Sequence, residues 1–313
     1  MRRFALRMLI FMAVPIAIGT IWTAFVITID RRSYISALHV PDGCDIVVCS
    51  DSQAQSALDP AFMPRLYNFS AAASHPDQNL LRLKDLLAHN AGRVRTVLID
   101  VTPLHVGFDE RNAPLSEAGS ARVHALLHLY HWKDVQRPWG DVLMLFRDVM
   151  LDRKFNELRK ALRRKHKYRS SLAGGFYAVN AAAFADSPEK AAKDVSRKAQ
   201  SINARPVMKE SDRILEIILE SADAARRAGA EPVLVTTPFS SPLRAALDSA
   251  KCTAFTNVVA SLAAAHKITY LNHLADDIPP ECWRDANHLN MAGAKVFTKR
   301  LANELSNRKR PCE

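Results

Sequence analysis

The chain has 313 residues, 48% apolar and 24% charged. That is a size for one large domain or two small ones, and a composition that excludes a disordered chain, a collagen-like fibre and a polytopic membrane protein. The net charge of +11, from 43 Lys and Arg against 32 Asp and Glu, invites a nucleic-acid reading, so where the charge sits matters.

The N-terminus reads Met1-Arg2-Arg3-Phe4-Ala5-Leu6-Arg7, and an uncharged, mostly apolar run from Met8 to Ile29 follows, closed by Asp30, Arg31 and Arg32. A helix of about 22 residues crosses the roughly 30 Å of a bilayer's hydrocarbon core. Pro15 and Gly19 are tolerated in such a helix. A cleaved signal peptide fits less well, because its apolar region is shorter and ends at a small-residue site, whereas Ile27-Thr28-Ile29 is bulky. Residues 1–32 therefore read as an N-terminal transmembrane anchor and 33–313 as the body. Arg2, Arg3, Arg7 and the free amine outweigh Arg31 and Arg32, which Asp30 offsets, so the positive-inside rule puts the N-terminus inside. In a bacterium this is a single-pass inner-membrane protein with a periplasmic domain. Disulfides form on that side. Five cysteines are too few for a disulfide scaffold. Cys252 with Cys282 is the favoured pair, because Cys44 and Cys49 lie an odd number apart in a strand-like run and face opposite ways. The alternative is that all five are free.

Five short apolar runs have the composition of buried parallel strands: Asp45–Cys49, Leu66–Phe69, Val94–Val101, Pro232–Thr236 and Ile268–Leu271. Helical patterns accompany them over Asn79–Asn90, Leu243–His266 and Met291–Leu305. Strands alternating with helices predict an α/β fold, an open parallel sheet with helices on both faces and ligands at the carboxyl ends of the strands. The third and fourth strands are separated by residues from about 105 to 230, far longer than a simple crossover. That stretch reads as a mostly helical insertion over the sheet's edge.

Two segments carry the chemistry. The first strand ends in Cys49-Ser50-Asp51-Ser52-Gln53. A serine just past a buried strand, opening a helix, has an exposed Oγ and unpaired N–H groups beside it for a developing oxyanion. Ser and Asp are also ordinary helix caps. After the fifth strand stands Arg284-Asp285-Ala286-Asn287-His288-Leu289-Asn290-Met291-Ala292-Gly293. A carboxylate three residues before a histidine can bond the imidazole Nδ1–H and leave Nε2 to take a proton from a serine. The plain alternative is that His288 only caps the last helix.

Together, Asp-Ser after the first strand and Asp-x-x-His-Leu-Asn-x-x-Gly before the last helix resemble the SGNH/GDSL hydrolase superfamily, over about residues 43–305 apart from the insertion. The resemblance implies the flavodoxin-like SGNH sheet, Ser52 as nucleophile, His288 as general base and acid, and Asp285 as its orienting partner. Asp51 matches the family's Asp before the serine and shapes the turn. The chain departs from the pattern in three places. Ser50 replaces the Gly of Gly-Asp-Ser. The family's second-block Gly falls in Asn68-Phe69-Ser70-Ala71-Ala72, so Ser70 or Ala71 would supply the oxyanion N–H. The third block, Gly-x-Asn-Asp, is replaced by Asp100-Val101-Thr102-Pro103-Leu104-His105, with Thr102 or an insertion residue in place of the Asn donor.

With an anchor and a degenerate third block, the chain is similar to members that O-acylate cell-surface polymers, the alginate and cellulose O-acetylation proteins and the teichoic acid D-alanyl transfer protein. The resemblance implies ping-pong acyl transfer to a cell-surface polysaccharide, with a multi-pass membrane acyltransferase as partner supplying the acyl group, and no cofactor or metal. An esterase of the same fold, and a catalytically silent docking subunit of a polysaccharide assembly complex, are the alternatives.

Nine Lys and Arg fall within the 17 residues 153–169, against Glu157 alone. Phe155, Leu158 and Leu162 have helical spacing among them. That run holds most of the net charge and reads as a solvated face, or as a surface for anionic headgroups or an acidic polymer, and not as a nucleic-acid site. His124 and His128 have metal-ligand spacing without the accompanying Glu or Cys. Trp132 and Trp139 read as packing of the insertion.

Overall fold

The computed structural model describes residues 31–72, 74–107, 175–180, 187–209 and 212–308, with Ala17, Ile21, Thr28 and Phe184 besides. The chain forms two compact units, one of 1–36 with 113–173 and one of 37–112 with 174–313. Of the first, the described residues are helical from 31 to 36. The membrane span expected over 8–29 lies almost wholly outside the described residues, among which no helix is long and apolar enough to cross a membrane. The basic run 153–169, His124, His128, Trp132 and Trp139 also lie outside them.

The second unit is built on five strands, β1 (Ile46–Val48), β2 (Leu66–Asn68), β3 (Thr96–Asp100), β4 (Glu231–Thr236) and β5 (Thr269–Asn272). All neighbours pair in parallel, in the order β2-β1-β3-β4-β5. The helices are α1 (Ser52–Ala57), α2 (Pro76–His89), α3 (Pro188–Asn203), α4 (Arg213–Arg227), α5 (Ser241–Ala246), α6 (Ser249–Ala265) and α7 (Met291–Arg308). The α/β class predicted from the alternating runs is the class observed.

Parallel strands buried on both faces read as continuous apolar runs, and their alternate residues serve two cores. Ile46 and Val48, Leu98, Val233 and Val235 join one cluster with Ala54 of α1, Ile202 of α3, Leu243 of α5 and Phe297 and Leu301 of α7. Val47, Val97, Ile99 and Leu234 are as deeply buried but face the other way, where α4 packs on α2, β3 and β4. The amphipathic pattern of Ile214, Leu215, Ile217 and Ile218 explains that burial. Thus α4, inside the stretch read as an insertion, is the crossover helix leading into β4.

The Ala-rich pattern over Leu243–His266 is two helices. Leu247 leaves the helical region, and Asp248 caps α6 by accepting from the N–H groups of Ala250 and Lys251, a local bond that competes with a continuous helix. The Cys252–Cys282 pairing is corrected: both are free thiols, as are Cys44 and Cys49. Cys252 lies on α6 and Cys282 in the turn before α7, and burial pushes both thiols up, away from the reactive thiolate.

Candidate functional site

The strand order reverses direction between β1 and β3, and open α/β sheets bind ligands in the crevice beyond the strand ends at such a point. The chain leaves β1 through Cys49 and Ser50 and enters α1 at Ser52. Asp51 is the N-cap, its Oδ1 accepting from the Gln53 N–H at 2.7 Å. Buried Asn68 holds the other side of α1, donating from Nδ2 to the carbonyls of Ala54 at 3.0 Å and Leu58 at 2.8 Å. Six residues make a marginal helix alone, so these tertiary bonds decide where Ser52 stands.

His288 approaches from the far end of the chain. Asp285 Oδ1 accepts from the backbone N–H of Asn287 at 3.1 Å and of His288 at 3.0 Å, which closes a tight loop. The imidazole Nδ1 lies 2.8 and 2.9 Å from the two Asp285 oxygens, and Nε2 lies 2.8 Å from Ser52 Oγ. Burial alone would raise the Asp285 carboxyl, but the His288 hydrogen bond and charge, the Asn287 N–H and Arg284 hold it well below the usual carboxylate range. An ionised carboxylate only accepts, so Nδ1 carries the proton and Nε2 accepts from the Ser52 hydroxyl. The arrangement can move a proton from Oγ to Nε2.

The rest of the motif builds this loop. Asn290 accepts the Gly293 N–H at 3.1 Å and donates to the Glu281 carbonyl at 2.6 Å, opening α7. Gly293 is needed for contact: a Cβ there would come within 2.2 Å of the Cys282 carbonyl oxygen. Trp283 is 1% exposed and donates to the Ile278 carbonyl. From α3, Asp194 accepts the Ala286 N–H at 2.9 Å, and Gln53 donates to the Asn287 carbonyl at 3.3 Å.

The expected oxyanion donors stand differently. The Ser70 N–H donates to Asn68 Oδ1 at 3.0 Å and the Ala71 N–H to the Ser50 carbonyl at 2.9 Å. Both are spent on the β2 turn, whose Phe69 carbonyl also accepts from the fully buried Arg82. Thr102 turns its hydroxyl on its own backbone, accepting from the Leu104 N–H at 3.4 Å. The Ser52 N–H, at the first position of α1, has no helical carbonyl within reach.

Three further features were not read from sequence. Ser50, just past β1, donates from Oγ to Asp100 Oδ2 at 3.0 Å. Burial, then the nearby Asp51 charge, pushes the Asp100 carboxyl up to about 7. His105 Nε2 lies 3.1 Å from Asp51 Oδ2. Finally, residues 175–180 run along the site: Gly175 donates to the Ser70 carbonyl at 2.8 Å, Tyr177 to Gln55 at 3.1 Å, and the Val179 carbonyl accepts from Met291 at 3.0 Å. Tyr177 and Met291 stay exposed on either side. The apolar-polar pattern of 175–180 is too short to have signalled this. Among the described residues no group of three or more His, Cys, Asp or Glu is arranged to hold a metal ion.

No protein-family model matches the chain, and no curated protein matches it in sequence.

Proposed function

We propose that the protein is a membrane-anchored, extracytoplasmic SGNH-type O-acyltransferase, acting on a cell-surface polysaccharide through an acyl group held on Ser52. The observation that carries this reading is the hydrogen-bonded chain from Ser52 Oγ through His288 to Asp285, at 2.8 Å on each side of the imidazole. Ser52 Oγ attacks the carbonyl carbon of an acyl donor as its proton passes to His288 Nε2, and Asp285 stabilises the imidazolium. The Ser52 N–H, in the first turn of α1, is the donor proposed for the developing oxyanion. His288 returns the proton to the leaving group. An acceptor hydroxyl then loses its proton to His288 and takes the acyl group, so one ester is broken for each ester made.

The Ser70 and Ala71 N–H groups are engaged elsewhere, so among the described residues the site holds fewer oxyanion donors than the resemblance implies, and one such donor is worth about 10²–10³ in rate. A shortage of donors slows attack by water and by a sugar hydroxyl alike, because both pass through the same tetrahedral oxyanion, so acceptor binding must decide between them. The same observation favours the second reading, a silent docking subunit. A fluorophosphonate probe separates them: labelling of the wild type at Ser52, absent in Ser52→Ala, is the expected result, and a wild type that labels no better than Ser52→Ala would leave the docking reading. An activated acetyl ester, supplied with and without an oligosaccharide acceptor, separates transfer from simple ester hydrolysis. Acceptor-dependent product is expected.

A further inference from the structure

Beneath the turn that presents Ser52 lies a second imidazole–carboxylate pair. His105 stands in the 3-10 turn Pro103–His105 that follows β3, on the opposite side of the strand-order reversal from Asp51. Its Nε2 is 3.1 Å from Asp51 Oδ2, with the two side chains 11% and 10% exposed. The other oxygen of Asp51 is the one that caps α1 through the Gln53 N–H. A single carboxylate therefore links the end of β3 to the first turn of the helix on which Ser52 stands.

Burial by itself would push Asp51 toward its neutral form. The His105 hydrogen bond and charge, the Gln53 N–H and the more distant His288 reverse this and hold the carboxyl below its ordinary range. Asp100 lies on the same side and repels Asp51 when ionised, and Tyr270 of β5 senses Asp100 in turn. From α2 and α4 the cavity beside His105 is lined by the uncharged Asn79, Ile214, Ile217, Ile218 and Ser221, while the buried Arg82 of α2 is engaged by Asn79 Oδ1 and the Phe69 carbonyl and acts on the Cys49 thiol together with Asp85. Among the described residues, His105 is the side chain hydrogen-bonded to Asp51 that opposes its burial. Without it less opposes the burial of the carboxyl, and a neutral acid caps a helix less well than a carboxylate.

We propose that His105 is a positioning residue, pairing with Asp51 through Nε2–H so that Asp51 caps α1 as a carboxylate and fixes the backbone that carries Ser52. Its consequence for rate rests on the reading of Ser52 as nucleophile; its consequence for Asp51 does not. In full-length protein labelled with ¹⁵N-glutamine, the Gln53 amide reports the ionisation of Asp51. The wild-type midpoint is expected below the ordinary carboxylate range. His105→Ala is expected to raise it by about one pH unit or more, and His105→Gln, which keeps a donor, to restore much of the shift. An unchanged midpoint in both variants would overturn the proposal, and His105→Gln answers the question if His105→Ala does not fold.

Fluorophosphonate labelling of the same proteins reads the effect on Ser52. A rate lower on the order of tenfold in His105→Ala, partly recovered in His105→Gln, is expected for a displaced nucleophile. A raised midpoint with wild-type labelling would overturn the positioning role. A wild type that does not label would instead overturn the acyltransferase reading, while the Gln53 midpoint still decides the pairing with Asp51.

Discussion

Asp285 has three tasks: it accepts two backbone N–H groups, orients His288 and fixes its tautomer. Asp285→Asn keeps the shape but can present an amide N–H to Nδ1, so Nε2 then carries the proton and cannot accept from Ser52. A rate loss of about 10⁴ is expected in any Ser52-dependent assay. Asp100 makes the opposite prediction about stability. Its carboxyl is raised in the folded state to about 7, so the folded protein binds more protons than the unfolded chain between about pH 4 and 7, and stability falls as pH rises through that window. Asp100→Asn removes this dependence. The stability of the variant relative to wild type, from urea denaturation, is expected to improve from pH 4 to 7 and level off above it; a difference independent of pH would contradict the assignment. The partners of Ser52 were legible because Asp285 and His288 lie three residues apart. Asp100, His105 and Arg82 were not, because their roles depend on what burial brings beside them.

The strands were legible as elements because both faces of a parallel sheet are buried, so their runs are continuous. The order β2-β1-β3-β4-β5 was not written in any one run. The loop from Asp285 to Gly293 is an element in its own right, and its glycine closes it against Cys282. Gly293→Ala must displace a backbone carbonyl that also accepts the Asn290 N–H. A loss of about 1–3 kcal/mol is expected in thermal or urea unfolding, with weaker Ser52 labelling where the variant remains folded. The segment 175–180 illustrates the limit of reading one element at a time. Among the described residues, three backbone bonds, to the β2 turn, α1 and α7, tie it to the site. Tyr177 is left exposed beside α1; if the acceptor of the proposed function is a polysaccharide, Tyr177→Ala is expected to raise the KM for an oligosaccharide several-fold.

At the scale of the molecule, three chain regions far apart in sequence meet at the carboxyl end of the sheet: the β1 exit with Ser52, the β3 exit with His105, and the loop after β5 with His288. That convergence is what a doubly wound topology provides; in the proposed function residues 1–32 tether the same chain to a membrane. A reporter active only outside the cytoplasm, fused at the C-terminus, is expected to be active with residues 1–32 present and silent without them. The central claim is that Ser52 carries the acyl group. Its most direct test is mass spectrometry of the full-length protein after brief exposure to an activated acetyl ester. One acetyl group is expected on the peptide containing Ser52, absent in Ser52→Ala and discharged by a polysaccharide acceptor. No adduct on the wild type, or an equal adduct in Ser52→Ala, would contradict it.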